Sequence, residues 1–322
     1  MRYARLAMDA ERRWLAWVRR AAAGGGRREL RLGIGDDAAL LRPRRGWELA
    51  ITTDLMIEGV HFVRGRDTAA SCGRRLATRA LSDLAAMGAE PLALLVSSAY
   101  PAALPTAWAR QLYRGLLAAG AEAGAGLAGG DVSAAPPGVD KIFLDVVGVG
   151  QAPAGRALCR SGARAGDRIF ASGRLGEAAW GRELVHGGTA ARSRVDRRAR
   201  ARHLRPRARW ELGQALRGRA SAAIDLSDGL ATDLHHLCEE SGVGAEIEAE
   251  RLPALPGEAG LRRALFGGED YELLFTLPAG VAPPRGADVH EIGTIAAARG
   301  VWLRHGGRRA RLAAGGWEHW RR

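Results

Sequence analysis

Aspartates recur in this chain beside glycines and at the ends of short apolar runs. Asp36 and Asp37 fall in the turn Gly33-Ile34-Gly35-Asp36-Asp37, and Asp54 follows Leu49-Ala50-Ile51-Thr52-Thr53. Asp131 closes Leu127-Ala128-Gly129-Gly130-Asp131, Asp225 closes Ala222-Ala223-Ile224-Asp225, and Asp228 comes one turn later in Leu226-Ser227-Asp228-Gly229. Asp83 shares a helical face with Cys72, Leu76, Ala80 and Met87, where a carboxylate is costly to bury without a partner. Any one Gly-Asp pair is an ordinary solvated turn; the recurrence points elsewhere. Carboxylates gathered in one cleft repel one another unless cations sit between them, and oxygen-only ligands suit magnesium. Two or more metals bridged by aspartates serve phosphoryl transfer, where they neutralise charge on the attacking and leaving oxygens. Gly35, Gly129, Gly130 and Gly229 would let phosphate oxygens approach the backbone, and Thr52, Thr53 and Ser227 would add hydroxyl ligands or donors.

The usual nucleotide-binding devices are missing. Lys141 is the only lysine, so no GxxxxGK[ST] exists, and no GxGxxG opens a helix. A bound ATP must then be held by metals, backbone amides and arginine, and Arg160 lies just past a candidate domain junction. His61, seven residues after Asp54, reads as a general base, a substrate ligand or a core histidine.

The elements that must position these residues alternate. Helical spacing covers 3–20, with Leu6, Trp14, Trp17 and Val18 apolar and an end at Gly24-Gly25-Gly26; helices are also expected over 69–87, 106–123, 175–185, 208–216 and 230–240. Strands are expected over 47–53, 92–99, 141–149, 167–171, 222–225, 271–277, 290–295 and 301–304. The alternation points to α/β layers. Residues 151–164, rich in Gly, Pro and Ala, are the candidate boundary, so domains of 1–150 and 151–322 are expected. The aromatic tail Gly316-Trp317-Glu318-His319-Trp320 is expected to pack.

With 322 residues, 47% of them apolar, there is material for about two domains with a sizeable core. No apolar run approaches a membrane span, and no signal peptide is expected, so the reading is cytoplasmic with no membrane partner. Cys72, Cys159 and Cys238 are odd in number and scattered, which argues against disulfides or zinc and for three plain core residues. The net charge of +13 is nearly all arginine and mostly dispersed. The denser stretch 192–209 reads as an exposed helix or loop, more a solvated surface than a polyanion-binding face.

The segments GIGDDAAL (33–40), ITTDLMIEGVHF (51–62), LSDLAAMGAEP (81–91), AGGD (128–131), ALCRSGARAGD (157–167), AIDLSDGLATDL (223–234) and GGEDYELLFT (267–276) together resemble the thiamine-monophosphate kinase family, in that family's order and over nearly the whole chain. The GDD and GGD pieces are shared across the wider aminoimidazole ribonucleotide synthetase-like superfamily. This resemblance implies a two-domain α/β (α+β) fold. Its N-terminal ATP- and metal-binding domain would pair sheets into a barrel across a homodimer, and a C-terminal α/β sandwich would complete the site.

The resemblance also implies ATP-dependent phosphorylation of thiamine monophosphate to the diphosphate. Asp37, Thr52, Thr53, Asp54, Asp83, Asp131, Asp225 and Asp228 would bind several magnesium ions, with Asp54, Asp83, Asp131 and Asp228 closest to the chemistry. Gly130, Asp131, Arg160 and Ser227 would contact ATP, with Tyr113 near its adenosine end. His61, Glu269 and Trp317 would meet the thiamine moiety, the indole suiting a cationic thiazolium. Val132 after GGD, Ser82 before Asp83 and Trp320 in the tail depart from the family pattern without removing a carboxylate.

A phosphate monoester acceptor is already largely ionised at neutral pH, its second pKa being about 6, so it needs alignment and relief of repulsion rather than a base. Direct in-line transfer with no phosphoenzyme is expected, with His61 a positioning group. Two relatives are disfavoured: selenophosphate synthetase needs a reactive residue near its N-terminus, and the hydrogenase-maturation carbamoyl dehydratase needs a C-terminal cysteine. Here the first cysteine is Cys72 and the chain ends Trp320-Arg321-Arg322. The imidazole-closing synthetase lacks the GGEDYELLFT element. A metal-dependent nuclease or polyanion-binding protein would leave the aromatic tail without a purpose, so no nucleic-acid partner is expected.

Overall fold

The structure is a computed structural model that describes residues 2–316, with side chains from Arg12 onward. The chain divides into two compact units, Met1–Ala80 with Pro91–Gln151, and Leu81–Glu90 with Ala152–Arg322.

The first unit contains α1 (Arg2–Ala22), β1 (Leu30–Leu32), β2 (Leu40–Leu41), β3 (Trp47–Ile57), most of α2 (Ala69–Ala86), β4 (Glu90–Tyr100), α3 (Thr106–Ala123), β5 (Gly126–Ala134) and β6 (Phe143–Pro153). Strands β3, β6, β4 and β5 form one sheet in that order, with β4 and β5 parallel, and β1 pairs with β2 in a small antiparallel ribbon. On α1, Trp14 and Val18 are buried as the helical spacing requires, and Trp14 meets Tyr113 of α3 edge-on at 5.1 Å. Helix α2 starts where the Thr68 hydroxyl accepts from the Ser71 amide at 3.2 Å, and α3 stops at Gly124 in a left-handed cap. Both β3 and β5 run past the acids expected to end them. Asp54 is followed by the apolar Leu55-Met56-Ile57, of which Met56 is buried, so the strand continues and Asp54 sits inside it. Asp131 likewise pairs with Ser97 within β5.

The second unit contains β7 (Arg168–Ser172), α4 (Glu177–His186), α5 (Arg194–Leu204), α6 (Trp210–Leu216), β8 (Ala222–Leu226), α7 (Leu230–Ser241), β9 (Gly244–Glu248), α8 (Gly257–Phe266), β10 (Glu272–Leu277), β11 (Val289–Ala296), β12 (Gly300–His305) and β13 (Arg308–Arg311). Its seven strands run in the order β13-β12-β9-β11-β7-β10-β8. The β12–β9 pair is parallel and the others are antiparallel. The core gathers Ile169, Ile224, Leu226, Leu274 and Ile292 from the strands with Leu230, Leu234 and Leu237 from α7, all 2% exposed or less. Each such side chain contributes about 1.5–3 kcal/mol on burial.

Two expectations are corrected here. Cys72 and Cys238 are buried as expected, but Cys159 is exposed because it lies in the irregular segment between β6 and β7. The arginine-rich stretch is not merely a solvated surface. Helix α5 begins with a capping box, in which Ser193 Oγ accepts from the Asp196 amide and Asp196 accepts from the Ser193 amide, both at 3.0 Å. It buries Ala199 and His203 and sends arginines inward to buried carboxylates. No helix among the described residues is long and apolar enough to cross a membrane.

Candidate active site

In the first unit, strand alternation sorts the residues after Ile51. Thr52 and Asp54 share one face of β3, half-buried, while Thr53 points to the opposite, exposed face and donates its hydroxyl to Asp145 Oδ1 at 2.9 Å. Arg79 Nε of α2 lies 3.3 Å from Asp54 Oδ1, so that carboxylate already faces one positive charge. Asp36 and Asp37 are exposed in their turn, where the Asp37 amide donates to Asp36 Oδ1 at 3.0 Å and the Arg19 guanidinium lies against Gly35. Asp131 is exposed too. Its neighbour Gly130 has φ +152°, and a Cβ there would run into the Val96 carbonyl oxygen, so the GGD strand can lie this close to β4 only with glycine at that position.

His61 is half-buried in the turn after β3, and its Nδ1 accepts from the Ile57 amide at 3.0 Å. A ring nitrogen that accepts carries no proton, so the imidazole proton sits on Nε2 and that edge donates. The His61 carbonyl in turn accepts from Arg75 Nη2 at 2.7 Å. Tyr113 is buried at 5% exposure, and loss of solvent pushes its hydroxyl pKa up, partly offset by a hydrogen bond to Ser98. Beside it a cavity of about 240 Å³ is lined by Trp14, Tyr100, Leu104, Thr106, Ala109 and Val132.

In the second unit the acids are tightly tied. Asp225 is 3% exposed within β8, and its Oδ2 accepts from Ser82 Oγ at 2.8 Å, so the serine standing before Asp83 orients another site carboxylate. Asp83 is half-buried at the end of α2. The turn bearing Ser227, Asp228 and Gly229 is organised by Asp233, a residue the sequence pattern did not single out. One oxygen of Asp233, Oδ2, accepts the amides of Ser227, Asp228 and Gly229 at 3.1, 3.2 and 3.1 Å. Three successive amides form a nest that would otherwise suit a phosphate. Here the chain's own carboxylate fills it, so the Asp228-Gly229 backbone does not cradle phosphate as the glycines suggested. Burial, then the charges of Asp225 and Asp228, push the Asp233 carboxyl pKa well up against those amide donors. Asp233 stands five places after Asp228 in AIDLSDGLATDL, visible as an acid but with a role that only the fold reveals.

The loop 267–271 is tied to the same turn. Glu269 N donates to Ser227 O at 2.8 Å and Tyr271 N to Leu226 O at 2.9 Å. Glu269 and Tyr271 have φ of +68° and +50°, a left-handed conformation that costs on the order of 1–3 kcal/mol each outside glycine. Gly268 is pressed so closely on the Ser227 carbonyl that a side chain would displace it. The Glu269 carboxylate is half-buried, 4.0 Å from Arg182. Asp270 turns inward and caps α4, accepting from Gly176 N at 2.7 Å and Ala178 N at 3.2 Å, and burial pushes its carboxyl up to about 7. The Arg160 side chain is exposed, while its carbonyl accepts from Ser241 Oγ at 3.0 Å. Trp317 and Trp320 lie outside the described residues. The chain as far as Gly316 is fixed beside the Asp228 turn, with Gly316 N donating to Thr232 Oγ1 at 2.9 Å.

Each unit thus presents oxygen donors in the pattern a divalent cation would use. The donor set is carboxylate and hydroxyl only, and within the second unit Asp225 and Asp228 lie close enough to raise Asp233, a crowding of negative charge that a cation relieves.

Models of the AIR synthase related protein family match the chain, the N-terminal domain over residues 35–152 and the C-terminal domain over 164–301. The thiamine-monophosphate kinase of Salmonella typhimurium (strain LT2) is 41% identical over 261 residues, covering 78% of this chain and 78% of the relative. The crystal structure of thiamine-monophosphate kinase from Stenotrophomonas maltophilia K279a is 36% identical with a TM-score of 0.80, over 92% of this chain and 96% of that one. That of AaThiL complexed with AMPPCP and TMP is 34% identical with a TM-score of 0.78, over 89% and 92%. By its glycine-acid turns, its two-unit fold and these similarities, the chain belongs to the thiamine-monophosphate kinase family of AIR synthase related proteins.

Proposed function

We propose that this protein transfers the terminal phosphoryl group of ATP directly to thiamine monophosphate, giving thiamine diphosphate and ADP, with magnesium as the metal. The observation that carries the substrate assignment is the likeness, at 34% identity and a TM-score of 0.78, to AaThiL complexed with AMPPCP, an ATP analogue, and TMP. An oxygen of the acceptor phosphate bonds to the γ-phosphorus as the bond from that phosphorus to the β–γ bridging oxygen breaks, and ADP leaves. The acceptor oxygen is already ionised, its second pKa being about 6, so no residue need take a proton from it. The His61 tautomer supports this, because the imidazole offers a donor at Nε2 and orients the acceptor.

The carboxylates of Asp37, Asp54, Asp83, Asp131, Asp225 and Asp228, with the oxygens of Thr52 and Thr53, would hold the magnesium ions, which would supply neutralisation of phosphate charge. Asp54, Asp83, Asp131 and Asp228 would be the ligands with the most direct part in the chemistry. Gly130, Asp131, Arg160 and Ser227 contact ATP, and the apolar cavity next to Tyr113 suits the adenosine end. His61, Glu269 and Trp317 meet the thiamine side. A homodimer is supported by the edge strand β3, which exposes Leu49, Ile51 and Leu55 at 44%, 67% and 51%, an apolar row that an unpartnered sheet edge would leave open to aggregation. A cytoplasmic location is supported by three unpaired cysteines. A coupled assay for ADP with ATP and magnesium tests the substrate: turnover with thiamine monophosphate and none with thiamine supports the reading, and turnover indifferent to either acceptor overturns it.

A further inference from the structure

The arginine-rich helix α5 and the connector after it have no part in the chemistry above, yet they send side chains to two of the most deeply buried carboxylates in the second unit. Arg198 Nε donates to both oxygens of Glu177 at 2.9 and 2.8 Å, and Glu177 is the first residue of α4. One helical turn on, Arg202 Nη1 lies 3.2 Å from Glu272 Oε1, and Glu272 is the first residue of β10. Arg209 grips the same carboxylate with both arms of its fork, Nε to Oε2 at 2.6 Å and Nη2 to Oε1, and Ser172 Oγ adds a bond to Oε2 at 2.5 Å. Glu177 and Glu272 are each 1% exposed.

These two anchors bracket the loop of the substrate side. Between them in space stands Asp270, whose carboxylate spans the amides of Gly176 and Ala178 at the start of α4. On either side of Asp270 the backbone of Glu269 and Tyr271 is left-handed, a conformation that persists only where the surroundings over-determine it. The two amide bonds to Ser227 O and Leu226 O hold one side of that loop, and the arginines hold the other through Glu272 and Glu177.

We propose that α5 and its connector form a strap, with Arg209, Arg202 and Arg198 as positioning residues that keep Glu269 in place to recognise the acceptor. The inference rests on the reading of Glu269 as a residue of the thiamine side. A buried carboxylate that loses its arginine must shift or take up a proton, and either change loosens the strained loop. Lysine would keep the charge at 209 but lose the two-pronged grip.

Arg209→Gln and Arg209→Lys, with Arg200→Gln as an exposed control on the same helix, test the strap. Hydrogen exchange read at the amides of Glu269 and Tyr271 should quicken by about tenfold or more in Arg209→Gln and less in Arg209→Lys, with Arg200→Gln unchanged. The KM for thiamine monophosphate should rise by about tenfold while the KM for ATP stays within about twofold. Should Arg209→Gln fail to fold, the triple variant Arg202→Met, Arg209→Met and Glu272→Gln removes the carboxylate together with both arginines that pair with it, and the same two readouts apply. Loop exchange unchanged in Arg209→Gln, or both KM values rising together, overturns the strap. Exchange that quickens as predicted in a protein indifferent to thiamine monophosphate would keep the strap and overturn the substrate reading instead.

Discussion

Glycine-acid turns occur in both units, but the two units hold them differently. In the first, Asp36, Asp37 and Asp131 stand exposed on a turn and a strand, fixed by strand register and by the close approach that Gly130 allows. In the second, Asp225 is buried against Ser82, and Asp228 rides on a turn whose three amides converge on Asp233 and whose carbonyls are bonded to a strained loop. Exposed carboxylates keep their hydration and can adjust to an arriving nucleotide–metal complex. Buried ones carry a standing electrostatic cost that hydrogen bonds offset in part and a cation would relieve further. One set of ligands is therefore adaptable and the other pre-arranged.

The largest effects should separate activity from stability. Asp131→Asn and Asp225→Asn should each lower kcat by about a thousandfold, roughly 4 kcal/mol of transition-state stabilisation. In metal-free buffer their melting should differ. Asp131→Asn should stay within about 0.5 kcal/mol of the parent, because the site is exposed, whereas Asp225→Asn should be more stable by about 1 kcal/mol, because a buried like-charge repulsion is gone. Equal melting shifts measured with a chelator present would erase the contrast between the units.

Next in size is Asp233. Replacing it with alanine strands three amides, one buried and two part-buried, for an expected loss of about 2–4 kcal/mol in denaturant unfolding, and frees the turn that aims Asp228. The kcat should fall about 10- to 100-fold and the magnesium needed for half-maximal rate should rise. An unchanged magnesium requirement would mean that the turn holds itself. His61→Gln should cost only about tenfold, chiefly in the KM for thiamine monophosphate. A loss in kcat equal to that of Asp131→Asn would make His61 a base.

The most gradual effect is on pH. Asp270 has a folded pKa raised by burial from 3.8 to about 7, so its contribution to stability is fully present below about pH 4 and is lost as pH rises through 7. Comparing Asp270→Asn with the parent by unfolding from pH 4 to 8, the parent should lose up to about 1.4 kcal/mol per pH unit that the variant does not. Parallel curves would contradict the burial assigned to that carboxyl.

Much of this was legible in the chain itself. The helix expected over 106–123 forms over those residues, with Pro105 before it and Gly124 in a left-handed cap after it. The acids were findable because recurrence beside glycine is a local signal. Long-range partners were not. Glu177 and Glu272 lie far in sequence from Arg198, Arg202 and Arg209, so the arginine stretch reads as surface until the fold brings them together. Strand β9 alternates and β13 is arginine but for Ala310, and they form because β12 offers both a partner and Glu246 collects Arg304 and Arg309. Helix α8 opens at Pro256-Gly257 without a side-chain cap, which hides its start. Asp233 shows the same limit at the site: its carboxylate is visible in the motif, but its three amide partners are not.

The most direct measurement follows the phosphorus. Protein, magnesium, thiamine monophosphate and ATP labelled at the γ-phosphate would be mixed, quenched at times shorter than a turnover, and separated into protein, nucleotide, thiamine and inorganic phosphate fractions. Direct transfer puts label only in thiamine diphosphate, at its terminal phosphate, with none on the protein at any time. Label found first on the protein, or released as inorganic phosphate whether or not thiamine monophosphate is present, would contradict it.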